Sequence, residues 1–438
     1  MTQRKLQISY FKRWELKLEL EPPILENDCF ALPKGVKWIP VEDALERLKK
    51  SLHSIVEAEW VNLDQAIDRV LSENILAIRS SPPSANSAVD GFGFSLKTLQ
   101  HGSQMLPLIK GRAAAGEPYE GTITPGSAIK ILTGAILPDG VDTVILEEDT
   151  QIELNSVTFN STLKLGANTR MSGEDAKLGE IILNKGNILR SPDIALLVSV
   201  GVFSISVYKK LCIGVLSTGT EIITKKTTTP LRHQIYDANR PMLLSLIRKW
   251  GFTAEDLGHA KDDKDIVFEK LNNGVKKVDV IITTGGASSG EEDYISKLLR
   301  EKGSVSSWRV AIKPGRPIAM GMWRGKPIFG LPGNPVAAFV CSAIFVRPAL
   351  SLLSGSKWIE PVGFLVPAAF SKIKKPGRRE FLRGLLQNDG SVKAFKSEGS
   401  GRISGLSWAN GLIDLPNEAL NISPGDLIRF IPYTSLGI

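Results

Sequence analysis

The run Val278-Asp279-Val280-Ile281-Ile282-Thr283-Thr284-Gly285-Gly286-Ala287-Ser288-Ser289-Gly290-Glu291-Glu292-Asp293-Tyr294 constrains the fold of this chain more than any other stretch. It opens with β-branched residues in the pattern of a buried strand. A Gly/Ser loop follows, and then three consecutive carboxylates at the start of a helical pattern. Backbone N–H groups in such a loop suit an anion, and carboxylate oxygens suit a hard cation such as Mg2+. Strand, anion loop and carboxylates form a layout for a phosphorylated substrate handled with a metal. Gly-rich loops after strands are common, so the reading draws its force from two companions, Lys313-Pro314-Gly315-Arg316-Pro317 and Gly330-Leu331-Pro332-Gly333-Asn334-Pro335.

The surrounding pattern is βαβ. Leu211 to Leu216 reads as a strand followed by Ser217-Thr218-Gly219. Met242, Leu243, Leu246, Ile247 and Trp250 mark a helix face closed by Gly251 just past its end. Ile266, Val267 and Leu271 mark the next helix, residues 278–284 the next strand, and Tyr294, Ile295, Leu298 and Leu299 another helix. Strands are expected near Trp308–Ile312 and Ile318–Met322, and Val336-Ala337-Ala338-Phe339 begins a last helix. Such alternation argues for a mostly parallel sheet with helices on both faces. Ligands bind at the carboxyl ends of its strands, where the loops after Leu216 and Thr284 both fall.

Elsewhere the pattern is different. Apolar residues at helical spacing predict a helix from Val41 to Ala58, and Asp64 to Leu71 looks like a second one. Residues 79–176 carry short β-type runs punctuated by Gly and Pro: 128–132, 143–146, and a hairpin of Ile152–Leu154 and Val157–Phe159 around Asn155-Ser156. Ser191 to Ser199 reads as a helix. Residues 356–438 return to short strands and turns, for which a small β-barrel or sandwich is the economical reading.

Length and composition bound the function classes. A chain of 438 residues suggests two to four domains. Its 42% hydrophobic and 23% charged content fits a globular protein. Lys+Arg minus Asp+Glu is 54 − 46 = +8, which favours anionic partners. No basic stretch is interleaved with aromatics, so a stacking platform for nucleic acid is not expected. The three cysteines, Cys29, Cys212 and Cys341, show no zinc spacing; Cys212 and Cys341 lie in apolar runs and read as core. This usage fits a reducing cytoplasm. The longest apolar run, Val336 to Val346, is too short to span a bilayer. Residues 1–36 lack a sustained apolar core and mix both signs of charge, so they read as neither signal nor transit peptide.

Several further groups can carry chemistry. Lys313-Pro314-Gly315-Arg316-Pro317 holds two cations on a loop stiffened by two prolines, which suits an oxyanion or phosphate; alone, an ordinary turn with solvated charges is the commoner reading. Asn86-Ser87-Ala88-Val89-Asp90-Gly91 presents one acid beside a glycine, equally compatible with an Asx-turn. In Leu132-Thr133-Gly134-Ala135 the Thr133 hydroxyl can donate to an anion or merely end a strand. Asn168 to Asp175 places Arg170 and two acids, Glu174 and Asp175, around Gly173. Ser217-Thr218-Gly219-Thr220-Glu221 repeats the strand, small-residue loop and carboxylate order, so Glu221 and Asp293 can share one divalent ion. No G-x4-GK[ST], no G-x-S-x-G and no dinucleotide fingerprint occurs.

Taken together, these motifs resemble the molybdopterin molybdenumtransferases, the family that includes the C-terminal domain of gephyrin. The resemblance rests on residues 86–91, 132–135, 173–175, 217–221, Tyr-Asp-Ala-Asn at 236–239, Asp-Asp at 262–263, 283–288, 313–317 and 331–336, in that order along the chain. It implies a multidomain α/β plus β architecture. Residues 1–36 are an extension; 37–78 and 177–208 form a mixed helical and β domain; 79–176 form a β-rich domain; 209–355 form a molybdopterin-binding α/β domain with a parallel-rich sheet; and 356–438 form a C-terminal β-barrel. It further implies a cytoplasmic homodimer that inserts molybdate into adenylylated molybdopterin and releases AMP with the help of Mg2+. Contact with the adenylyltransferase and with molybdoenzyme-maturation proteins is a further implication, and neither nucleic acid nor a membrane span is expected.

By the same resemblance, Asp293 and Glu221 hold the metal or the pyrophosphate end of the substrate. Asp262, Asp175 and Asp90 shape the site, with Asp90 and Thr133 contributed across the dimer. Ser217, Gly285, Gly286, Ser288, Arg316, Pro332 and Pro335 bind substrate, and Arg309, Lys313, Arg383 and Ser400 line the oxyanion and phosphate pocket. The chain departs from the family pattern in Thr220, where an acid or amide is common, in Ser289, which replaces a larger apolar residue, and in Arg309 and Arg316, where Lys is frequent. A non-catalytic scaffold that binds pterin or a partner, and a tungstate-specific insertion enzyme, are the alternatives. Molybdate and tungstate are not distinguishable in the sequence, and residues 1–36 carry no readable role.

Overall fold

Val280–Thr284 is buried at all five positions, as the β-branched run predicts. In this computed structural model, which describes residues 38–100, 102–224, 230–285, 293–315 and 318–438, it is a central strand of a six-stranded sheet. The spatial order is Thr253–Ala260, Cys212–Thr218, Val280–Thr284, Lys326–Leu331, Ile318–Trp323, Ser304–Trp308. The first four are parallel; Ile318–Trp323 runs antiparallel to Lys326–Leu331, and Ser304–Trp308 antiparallel to Ile318–Trp323. Val280 and Ile282 pack into one apolar cluster with Leu243, Leu246 and Phe339. Ile281 packs into another with Val267, Leu271, Ile295 and Leu298. Helix Asn239–Lys249 therefore covers one face, and helices Lys264–Gly274 and Tyr294–Lys302 the other. A strand covered on both faces has no use for alternation, which explains the continuous apolar run. Gly251 follows the first of these helices with φ +87°, as its place past the helix end requires.

The last helix of the domain runs from Pro335 to Leu353, with a π segment at Ser342–Val346. It continues past Arg347, beyond the apolar run read in the sequence. Its 19 residues are long and apolar enough to cross a bilayer, but 89% of its most apolar window is buried inside the protein. It is a core helix.

Three sequence expectations give way. The first helix ends at Ser51, where Leu52 turns extended, and Ala58–Asn62 pairs with Ser204–Tyr208 instead of continuing it. Asp64–Leu71 is not a helix. Only a short 3-10 turn forms at Leu63–Gln65; Asp68 adopts φ +61°, and Val70 and Leu71 bridge to Ile188 and Val207. Partners more than a hundred residues away win over local helical spacing, and Ala66 and Leu71 still reach the shared core. Finally, Trp308 to Ile312 is not one strand. The α/β sheet ends at Trp308, and Ile312–Lys313 pairs in parallel with Arg379-Glu380 of the C-terminal sheet.

That C-terminal sheet runs Ile312–Lys313, Arg379–Leu386, Gly411–Leu415, Leu427–Pro432, Phe364–Pro367, with Val392–Ala394 alongside the second strand. Among the described residues its two end strands are not paired with each other. The β-rich module has the order Thr143–Leu146, Gly91–Phe94, Ala128–Ile131, Gly102–Ala113, Ser156–Ser161, Gln151–Glu153, around stacked Phe94 and Phe159. The expected hairpin is present, turning at Leu154-Asn155 with Leu154 at φ +45°. Helix Ser191–Ser199 forms as read.

Candidate functional site

The carboxyl ends of the four parallel strands carry the loops after Thr218, Ala260, Thr284 and Leu331. Chain order reverses between Cys212–Thr218 and Val280–Thr284, whose outer neighbours lie on opposite sides. Such a switch point opens a crevice that loops cannot cover, and ligands bind there.

Backbone geometry shapes the crevice. Gly285 has φ +87°, and its N–H donates to the Leu331 carbonyl at 3.2 Å. A Cβ on Gly285 would stand 2.5 Å from the Thr218 carbonyl oxygen, so only glycine fits between the two loops. Gly333 approaches the same place; a Cβ on it would lie 3.8 Å from the Gly285 Cα. Asn239 ties these loops together. Its amide donates to Thr284 Oγ1 at 2.7 Å and to the Gly333 carbonyl at 2.6 Å. Pro332 and Pro335 flank the same loop, both half-buried.

Ser217 is fully buried and donates its hydroxyl to Asp237 Oδ2 at 2.5 Å. Asp237 also accepts the Arg240 Nε–H at 3.1 Å, and Arg240 reaches Asp256 at 2.8 Å. Asp262 accepts the Thr220 N–H at 2.8 Å, while Thr220 Oγ1 accepts the Asp262 N–H at 3.2 Å. The departure to threonine at 220 thus makes a reciprocal lock on Asp262. Glu221 is exposed, with its carboxylate folded over Gly219.

Asp293 caps helix Tyr294–Lys302, its Oδ1 accepting the Ser296 N–H at 3.0 Å. Asp and Asn are preferred there because they satisfy an orphan helix donor. Its other oxygen, Oδ2, is buried without a partner, as are Thr218 Oγ1, Thr283 Oγ1 and Asn239 Oδ1. Asp293 is only 4% exposed, and burial pushes its carboxyl up to about 6, against the Ser296 hydrogen bonds that pull it down. Unpartnered buried oxygens at the ends of the central strands mark a place where a ligand or cation completes the hydrogen bonding. Among the described residues no group of three or more His, Cys, Asp and Glu is placed to hold a metal.

A second group lies in a cavity of about 260 Å3 lined by Lys313, Lys372, Phe381, Arg383, Phe395 and Glu398, among others. Lys313 reaches Glu398 at 2.6 Å and Glu380 at 3.4 Å, and Lys372 pairs with the same two acids. Burial works to raise the Glu398 pKa, but hydrogen bonds from Lys313 and Lys372 prevail and hold it below the usual range. Arg383 is 3% exposed, lies over the Phe395 ring, and donates to the carbonyls of Ser397 and Gly399; its Nε has no partner. Desolvation pulls its pKa down. Ser400 connects the two groups: its carbonyl accepts the Val336 N–H at 3.0 Å, seating this loop on the start of the Pro335 helix. Arg309 is exposed, and its carbonyl accepts the Ile39 N–H at 2.9 Å.

Asp90 and Thr133 come together in the β-rich module. Asp90 Oδ1 accepts both the Thr133 N–H at 2.6 Å and its hydroxyl at 2.7 Å, which holds the Asp90 pKa below its usual value. Asp175 is exposed, with its N–H donated to the Ser81 carbonyl. None of the described hydrogen bonds or ion pairs links these three residues to the α/β edge. Gly286, Ser288 and Arg316 lie outside the described residues. Sequence reading passed over Asp237, Asn239, Lys372, Glu380 and Glu398. Asp237 and Asn239 stood within Tyr-Asp-Ala-Asn, a usable signal; the other three follow no spacing rule, because C-terminal strands and turns deliver them.

The fold defines an α/β protein flanked by β modules, with one polar group at the carboxyl edge of its sheet and a cation-lined cavity beside it. Residues 39–201 match the MoeA N-terminal region (domain I and II), residues 214–352 the probable molybdopterin binding domain, and residues 366–433 the MoeA C-terminal region (domain IV). The molybdopterin molybdenumtransferase of Haemophilus influenzae is 35% identical over 409 residues, covering 91% of this chain and 99% of that protein. A putative molybdopterin biosynthesis protein of Methanocaldococcus jannaschii is 30% identical, covering 87% and 94%. The crystal structure of the molybdopterin biosynthesis moeA protein from Pyrococcus horikoshii OT3 superposes with a TM-score of 0.79 at 29% identity, covering 91% of this chain and all of that one. The chain belongs to the molybdopterin molybdenumtransferase family, enzymes of molybdenum cofactor biosynthesis.

Proposed function

We propose that the protein inserts molybdate into adenylylated molybdopterin and releases AMP, acting as a cytoplasmic homodimer. The observation that supports this most is the Val336 N–H to Ser400 carbonyl bond, which seats a cation-lined cavity beside the switch-point crevice. The crevice takes the pterin and its phosphates; the Lys313, Lys372 and Arg383 cavity takes the oxyanion. Lys is a point charge and Arg a planar fork, so together they hold a tetrahedral dianion without fixing it in one orientation.

The orphaned Asp293 Oδ2 and its raised pKa fit a carboxylate waiting for a cation. Asp293, with Glu221 on the neighbouring loop, would hold Mg2+, which neutralises charge on the phosphoanhydride. Ser217, held by Asp237, and the Gly285 backbone position the phosphates, while Asn239 keeps the Leu331–Pro335 loop closed on them. Asp262, locked by Thr220, fixes the rim of the crevice. Asp90, Thr133 and Asp175 complete the site across the dimer; this reading is supported by the lack of any hydrogen bond or ion pair from them to the edge among the described residues.

The test is AMP release from adenylylated molybdopterin with Mg2+, with and without molybdate. Molybdate-dependent release supports the insertion reading. No release with pterin binding retained would replace it by a scaffold, unless tungstate restores release and identifies a tungstate enzyme.

A further inference from the structure

A second cavity, of about 220 Å3, opens at the opposite edge of the α/β sheet. Leu211 and Phe252 line it, and they immediately precede the strands Cys212–Thr218 and Thr253–Ala260, so it lies at the amino ends of the strands. It also meets the mixed helical and β module through Arg69 and Tyr208, the last core helix through Arg347, and the C-terminal turn through Gly437. Segments far apart in sequence build this one cavity.

Its lining is mainly cationic. Arg69, Lys209, Lys210, Arg248, Lys249 and Arg347 line it, with Asp68 as the one acid among the described lining residues; Lys209 pairs with Glu57 at 2.9 Å and Arg69 with Glu59, which leaves Lys210, Arg248, Lys249 and Arg347 without a described carboxylate partner. One of these cations, Arg69, is buried in the wall, and a second, Arg347, is half-buried there. Arg69 is 8% exposed; its Nη2 is taken by Glu59 and by the Tyr208 carbonyl at 2.8 Å, and its Nε is buried with no partner. Arg347 donates Nη1 to the Ser435 carbonyl at 2.7 Å, and no carboxylate pairs with it among the described residues. Burial holds its pKa below the ordinary arginine value. A guanidinium removed from water without an anion is unfavourable, and a buried N–H without an acceptor adds to that. Both deficits are met by one kind of ligand. Trp250 and Phe252 give the same cavity half-buried aromatic walls.

We propose that this cavity binds a small phosphomonoester, with its anionic head between Arg69 and Arg347 and its apolar body against Trp250 and Phe252. The site is separate from the proposed molybdate and pterin sites, which lie at the carboxyl edge and in the C-terminal cavity. Lys210 and Arg248 are exposed at its rim and steer the anion in. Because the ligand would touch the mixed module through Arg69 and the α/β module through Arg347, Trp250 and Phe252, its binding braces their junction.

The experiment is calorimetric titration of the full chain with phenyl phosphate and with inorganic phosphate. The expected result is saturable phenyl phosphate binding, tighter than inorganic phosphate because the ring adds apolar contact. The exposed-site double variant Lys210→Ala/Arg248→Ala should weaken it about tenfold, with the melting temperature unchanged. Arg347→Gln should abolish it, and Arg383→Met should leave it intact. The proposal is overturned if wild type shows no saturable binding, if the double variant binds as wild type does, or if Arg383→Met removes binding and so places the phosphate in the C-terminal cavity.

Discussion

Asp293 sets function against stability at a single residue. Its carboxyl is neutral in both folded and unfolded chains below the usual 3.8, and burial has no electrostatic cost there. As pH rises from 3.8 to about 6 the unfolded form ionises first and folding loses stability, by about 3 kcal/mol once both are ionised. Asp293→Asn keeps a cap acceptor for the Ser296 N–H but removes the charge. We expect it to melt at a higher temperature than wild type at about pH 8, to match it near pH 4, and to release no AMP; thermal melts at the two pH values and an AMP assay check this. Full turnover in the variant would sink the metal role. In the cation cavity Glu398 occupies Lys313 and Lys372 as a resident anion. Glu398→Gln should tighten molybdate binding by about tenfold, read by calorimetry, because the oxyanion no longer competes with a carboxylate; weaker binding would show that Glu398 positions the lysines instead. At this scale the sequence was legible where a motif marks the residue, as for Asp293, Ser217 and Asp90. It was opaque for Glu398 and Lys372, whose meaning depends on strands that meet only in the fold.

Elements explain why some motif glycines are there. In Asn-Ser-Ala-Val-Asp-Gly the glycine is Gly91, where a Cβ would lie 1.8 Å from the Ile145 carbonyl, so it answers to sheet packing whatever Asp90 does. Gly285 answers to the crevice. Gly285→Ala would combine a positive φ with a 2.5 Å approach to the Thr218 carbonyl. It should push the two loops apart, raising the KM for adenylylated molybdopterin while phenyl phosphate still binds at the far edge; an unchanged KM would mean that the crevice is not the pterin site. The doubly wound sheet was legible because its strands and helices carry their own periodicity. The failed helix at Asp64–Leu71 shows the limit: its spacing is helical, but Ile188 and Val207 provide bridge partners that no local window contains.

Over the whole molecule, buried charge fastens distant modules. Asp414 is 4% exposed and accepts from Arg379 at 2.7 and 2.8 Å and from Arg429 at 2.6 Å, while Arg379 also reaches Glu42 on the Val41–Ser51 helix. Asp414→Ala leaves Arg379 without its main partner and should destabilise the chain by about 3–5 kcal/mol, measured by urea unfolding; a loss within error would mean Glu42 suffices. The absence of any described contact from Asp90 to the α/β edge makes the dimer testable. Inactive Asp90→Ala and Asp293→Ala chains, mixed and allowed to exchange, should recover about a quarter of wild-type turnover if each site draws on both subunits. No recovery would confine the site to one chain. The parallel pairing of Ile312–Lys313 with Arg379-Glu380 carries a last consequence. Lys313, the residue proposed to meet the oxyanion, is stitched by its backbone into the neighbouring module. A gene cut after residue 355 would strip that stretch of its neighbour, so the two modules cannot be traded between relatives as independent cassettes; a working chimera has to exchange 312–313 together with the C-terminal segment.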